Sequence, residues 1–179
     1  MDDSLEQSMI SYISGDIEAF ETIYRQLSPK LFGYLLRLTR QREKAEDLVQ
    51  VTFSKIHKAR SSYLPGAPLL PWAFAIARRS FLDECRRAKV RPEDLSRDGT
   101  LPETKTQPED FDDMSEVLER ALGKIPPQYA EAIQLTKITG LSLAEASEVL
   151  GTSKNAVKLR VHRGYQLLRK ELAEYGSNL

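Results

Sequence analysis

From Thr152 to Lys170 the chain carries Lys154, Lys158, Arg160, Arg163, Arg169 and Lys170 and no acid. Long cations gathered on one segment and free of counter-charge make the local electrostatic footprint of phosphate binding. Lys158, His162 and Arg163 stand at i, i+4 and i+5, and Leu159 adds an apolar contact beside them. On a helix such a face presents donors to base edges in a major groove while its flanks hold phosphates. The competing reading is a solvated basic helix in a bundle. A second basic set, Arg78, Arg79, Arg86 and Arg87, follows the aromatic residues Tyr63 and Trp72. Aromatic faces for stacking and cations for the backbone are what a single strand of nucleic acid requires. Trp72 and Phe74 also lie on an apolar face, where bulky aromatics are more often core.

Enzymatic chemistry has no such support. His57 and His162 are isolated in sequence, no glycine-rich phosphate loop is present, and Cys85 lies in a basic helix without a visible base partner. A single cysteine excludes an intrachain disulfide and a cysteine zinc site, so neither metal nor cofactor is expected. Lys plus Arg and Asp plus Glu are both 26, a zero sum that argues weakly against nucleic acid until the charges are placed. They are sorted by segment: from Pro92 to Glu119 the acids Glu93, Asp94, Asp98, Glu103, Glu109, Asp110, Asp112, Asp113, Glu116 and Glu119 face only Arg97 and Lys105. With 41% hydrophobic and 29% charged residues the composition is that of a globular protein. No apolar run approaches the roughly 18 residues of a membrane span, and Met1-Asp2-Asp3 lacks the basic flank of a signal peptide, so no membrane insertion and a cytoplasmic location are expected.

The elements that must position these residues read as all-α, since apolar residues recur at helical spacing and nothing alternates like a strand. Asp16 is expected to cap a first helix through Ile17, Phe20, Ile23, Tyr24 and Leu27, and Ser28-Pro29 to start a second through Leu31, Phe32, Leu35, Leu36 and Leu38. A third, about Glu43 to Ala59, buries Ala45, Leu48, Val49, Thr52, Phe53 and Ile56. Tyr63-Leu64-Pro65-Gly66-Ala67-Pro68 is a loop, and the basic helix follows from about Leu69 to Lys89. Periodicity then stops until about Met114 among Pro92, Gly99, Pro102, Pro108 and the acids. Two small helical domains, 1–91 and 115–179, are therefore expected around a flexible acidic linker, 92–114.

In the second domain Val117, Leu118, Ala121, Leu122 and Ile125 lead to a turn at Pro126-Pro127 and a helix through Ala130, Ile133, Leu135 and Ile138 to Gly140. Ser142-Leu143-Ala144-Glu145 fits a capping box for a short helix burying Ala146, Val149 and Leu150, which Gly151 ends. Thr152-Ser153 then caps the basic helix, whose Ala156, Val157, Val161, Gly164, Leu168 and Leu172 form a buried stripe. Short helix, glycine turn and basic helix make a helix-turn-helix.

Repressors, activators and sigma factors all use that motif, so the first domain must discriminate. Gly15-Asp16-Ile17-Glu18-Ala19-Phe20, Asp47-Leu48-Val49-Gln50-Val51-Thr52-Phe53, Trp72 with Ile76-Ala77-Arg78 and Asp83, and later Ile125-Pro126 resemble the extracytoplasmic-function branch of the bacterial sigma-70 family, in order and over nearly the whole chain. The resemblance implies a two-domain promoter-specificity subunit of RNA polymerase with no catalytic site. It implies that the helix from Glu43 to Ala59 docks on the coiled coil of the polymerase β′ subunit through Asp47 and Gln50, with β as a further contact. Their i, i+3 spacing sets a carboxylate and an amide on one helix face, where alone they would read as an ordinary surface pair.

The same resemblance assigns the separated −10 strand to the loop Tyr63 to Pro68 and the helix after it, with Tyr63, Trp72, Arg78, Arg79, Arg86 and Arg87 as contacts, and a flipped base would explain the loop. It assigns the −35 element to Lys158, Leu159, His162 and Arg163, with Asn155 and Arg160 nearer phosphates, and implies an anti-sigma factor as partner. Arg79 stands where many members have an Asn that lines the base pocket, and Pro71 before Trp72 is also less usual. The alternative is a two-domain regulator acting alone, its first domain a dimerisation or sensing module.

Overall fold

The computed structural model describes residues 3–88 and 113–176, and every regular element among them is helical. The chain divides into two compact units, Met1–Arg87 and Ala88–Leu179. The stretch read as a linker lies, as far as residue 112, outside the described residues.

The first unit has helices α1 (Asp3–Ile13), α2 (Glu18–Thr39), α3 (Arg42–Ala59) and α4 (Leu69–Ala88), with a 3₁₀ turn, Arg60–Ser62, after α3. The helix α1 precedes the first one expected from sequence. Its Leu5, Met9 and Tyr12 recur every three or four residues and are all buried, which packs α1 on α2. Asp16 caps α2 as expected, its Oδ1 accepting from the backbone N–H of Glu18 at 3.0 Å.

The two helices expected to meet at Ser28-Pro29 are one, with Pro29 inside α2. An internal proline removes a backbone hydrogen bond and costs about 3 kcal/mol. Leu27 before it and Leu31, Tyr34 and Leu35 after it are all buried on one stripe, and each buried apolar side chain returns about 1.5–3 kcal/mol. Packing thus carries the helix across a residue that faces solvent. Ile17, expected within this helix, lies before its first turn and is 80% exposed.

All six apolar-face residues expected of α3 are buried, against α2. The helix α4 buries Phe74, Ala77 and Phe81, and is tied to the others by long side chains: Phe74 meets Tyr34 edge to face at 5.1 Å, and Lys55 Nζ of α3 reaches Asp83 Oδ2 at 3.1 Å.

The second unit has α5 (Asp113–Lys124), α6 (Pro127–Ile133), α7 (Leu143–Leu150) and α8 (Lys154–Gly176). Ala121, Leu122 and Ile125 pack with Ile133 and Leu168, and Tyr129 and Leu172 close the cluster. Gly164 marks the closest approach of α8 to α6, since a Cβ there would lie 2.8 Å from Ile133 Cδ1 and 3.2 Å from Tyr129 Cβ. The helix expected to run unbroken to Gly140 widens into a π-helical turn at Gln134–Ile138. The wider turn keeps Leu135 buried and brings Ile138, assigned to the core, to 43% exposure.

Candidate nucleic-acid interface

In the second unit the helix ends are fixed by neighbours in sequence. Ser142 Oγ accepts from the N–H of Glu145 at 3.2 Å, and Glu145 Oε2 accepts from the N–H of Ser142 at 2.7 Å. Gly151 turns the chain at φ 62°, and Ser153 Oγ accepts from the N–H of Ala156 at 3.2 Å to start α8. Val157, Val161, Gly164 and Leu168 are buried. The opposite face therefore projects outward with Asn155, Lys158, Leu159, His162 and Arg163 all exposed, and Arg160 half-buried at its side. Leu159 is 49% exposed, an apolar group left for a partner surface. The first turn of α8 contains no acid, so the positive end of the helix adds to the cations.

One turn further on, the structure extends this face by Tyr165 and Gln166, which the sequence reading did not single out. Gln166 Nε2 lies 3.2 Å from His162 Nε2, and His162, Tyr165, Gln166 and Arg169 line a shallow cleft. The signal was available as i, i+4 spacing from His162.

In the first unit Asp47 and Gln50 are both exposed on α3, and Val51, 43% exposed, stands on the same face. His57, further along α3, has its ring engaged: its Nδ1 is hydrogen-bonded with the Tyr12 hydroxyl, and Arg60 Nη1 donates to its carbonyl at 2.6 Å.

Along α4, Trp72, Arg79 and Arg86 fall at i, i+7 and i+14, a single stripe opposite Phe74, Ala77 and Phe81. Arg79, Arg86 and Arg87 are exposed and Arg78 is half-buried. Arg86 Nη1 is 3.3 Å from Asp83 Oδ1, the carboxylate that also holds Lys55.

Tyr63 does not offer the open stacking face expected of it. Its ring is 4% exposed and meets Trp72 edge to face at 5.3 Å, and its hydroxyl donates to the Ala67 carbonyl. It is the floor of the loop, which Gly66 turns at φ 87° and which leaves Leu64 74% exposed and Trp72 half-buried above it.

Burial, and secondarily the Glu6 carboxylate, raise the Tyr63 pKa above its ordinary 10.0. The neutral phenol is thus the form the fold prefers; its contribution is complete below about pH 10 and is lost as pH rises through the raised value. Denaturant titrations should show Tyr63→Phe about 1 kcal/mol less stable than the parent at pH 7, for one lost hydrogen bond. That difference should shrink above about pH 10. A difference independent of pH would refute this.

Two family models match the chain: sigma-70 region 2 over residues 23–91 and sigma-70 region 4 over residues 115–168. The RNA polymerase sigma factor CarQ of Myxococcus xanthus is 34% identical over 93% of this chain and 96% of its own length. The chain belongs to the extracytoplasmic-function branch of the sigma-70 family. This sigma factor is also 32% identical to the ECF RNA polymerase sigma factor SigF of Caulobacter vibrioides, over 94% of this chain and 93% of that one. Among solved structures, the sigma factor RpoE of Bartonella quintana, determined with the anti-sigma factor NepR, is 28% identical, covering 88% of this chain and 98% of its own, with a TM-score of 0.73. Among the described residues of the sigma factor no helix is long and apolar enough to cross a membrane.

Proposed function

We propose that the chain acts as a promoter-specificity subunit whose two ends read different forms of DNA. Residues 1–91 dock on core polymerase and hold the single-stranded −10 element, residues 115–179 read the duplex −35 element, and 92–114 link them. The observation that carries this division is the contrast between the two basic faces. Lys158, Leu159, His162 and Arg163 form a convex face on an exposed helix, shaped for a major groove. Trp72, Arg79 and Arg86 form a stripe that begins at a turned loop, suited to a strand whose bases have left the stack.

Asp47 and Gln50, with Val51 beside them, are the proposed contact for the β′ coiled coil, and β is a further contact. An anti-sigma factor is the proposed regulator, because a face that must stay open for polymerase is also open to a competitor. The RpoE relative, determined with NepR, supports that reading. The chain is read as having no catalytic centre, metal or cofactor of its own and as working in the cytoplasm, where polymerase is.

Transcription reconstituted from core enzyme and this chain, on promoters selected by genomic binding, tests the reading; no start at any of them would sink it and favour a regulator acting alone. In the same assay Arg163→Ala should erode discrimination at −35 by about tenfold, the scale of one good base contact. Arg86→Ala should instead weaken binding to all sequences and lower the salt slope by about one. Equal effects of both variants on all sequences would refute the division.

A further inference from the structure

The helix α1 lies before the region 2 match, which begins at residue 23, yet it reaches the −10 loop. Leu5 and Met9 are 1% and 0% exposed and fix α1 in the core of the unit. Between them in sequence Glu6 is half-buried on the flank of that face, and its Oε1 accepts from the backbone N–H of Leu69 at 3.0 Å, across 63 residues of sequence. Leu69 is the first residue of α4 and is itself fully buried. Its N–H is one of the amides a helix leaves unpaired at its start, and a carboxylate there also meets the positive end of the helix. Tyr63 closes the other end of the same loop by donating to Ala67 and by packing on Trp72. The loop is therefore held at its floor by Tyr63 and at its exit by Glu6.

We propose that Glu6 is a positioning residue for −10 recognition, its carboxylate latching the exit of the 63–68 loop to α1 and so setting where Leu64 and Trp72 meet the separated strand. This rests on the promoter reading above. Second to burial, the Glu6 carboxylate also raises the Tyr63 pKa, as a nearby negative charge does. Glu6 touches no DNA in this scheme; it acts through the loop.

The test is binding of short single-stranded oligonucleotides, the preferred −10 sequence and its single-base variants, to the full chain assembled with core polymerase, well below the unfolding temperature. Glu6→Ala should reduce the ratio of preferred to substituted sequences by about tenfold, the scale of a lost charge-assisted hydrogen bond. Glu6→Gln, whose amide oxygen still accepts from Leu69, should keep most of that ratio. Affinity for core polymerase and for duplex −35 DNA should stay at the parent's value in both. A merely structural role would lower thermal stability and weaken all oligonucleotides alike without moving the ratio, and that result overturns the latch. So does a Glu6→Gln chain as unselective as Glu6→Ala. A parent chain that shows no −10 selectivity with core enzyme would overturn the promoter reading itself, whereas selectivity kept in parent and Glu6→Ala alike overturns the latch alone.

Discussion

A chain carrying Asp47→Arg is expected to bind core polymerase about 100-fold or more weakly while remaining folded. Asp47 is exposed on α3, whose opposite face, Leu48, Val49, Thr52, Phe53 and Ile56, holds the helix in the core. Reversing the charge therefore leaves the packing intact, and an exposed substitution of this kind moves stability by no more than about 0.5 kcal/mol. At a docking interface the same change removes a carboxylate from a cationic partner and puts a like charge in its place. Removing one member of a close interfacial charge pair costs about 2–5 kcal/mol, which at roughly 1.4 kcal/mol per factor of ten is at least a factor of about 30 before repulsion is counted. Gln50→Ala, which removes a neutral group, should cost about tenfold or less. Titrating labelled chain with core enzyme measures both, and thermal unfolding provides the control. Undiminished core affinity in Asp47→Arg would move the docking face elsewhere.

The second large effect is on folding. Gly164→Val should destabilise the second unit by about 2–3 kcal/mol, because both branches of the new side chain meet Tyr129 and Ile133 where even a single Cβ is 2.8 Å from Ile133 Cδ1. Gly164→Ala is the informative partner. Alanine is favoured over glycine inside a helix by about 1 kcal/mol, and the methyl terminus of Ile133 gives way more easily than the Tyr129 Cβ at 3.2 Å. The two effects oppose one another, so Gly164→Ala should stay within about 1 kcal/mol of the parent. In a unit of this size the valine variant should melt about 10–20 °C lower. A valine variant as stable as the alanine one would show that α6 and α8 separate at no cost.

What was legible in the sequence is what short-range chemistry decides. Ser142, Glu145, Gly151 and Ser153 announce their helix ends because each partner lies within a few residues. The face of α3 was legible because five apolar positions and Thr52 recur at helical spacing. The rest depends on contacts between distant segments. Pro29 reads as a helix start until Leu27 and Leu31 are seen buried on the same stripe. The widened turn at Gln134–Ile138 has no local signature. Tyr63 and Trp72 were both legible as aromatics near the loop, but that Tyr63 turns inward depends on the Ala67 carbonyl, which takes its hydroxyl.

The −35 face shows the converse. The ends of α7 and α8 are closed by Ser142, Glu145, Gly151 and Ser153, and the inner side of α8 by Val157, Val161, Gly164 and Leu168, so the exposed Lys158, Leu159, His162 and Arg163 take no part in the buried packing. In the proposed reading, folding and promoter choice are thus recorded in different letters of one helix. Substitutions at these outward positions are therefore expected to alter recognition one residue at a time while each variant still folds.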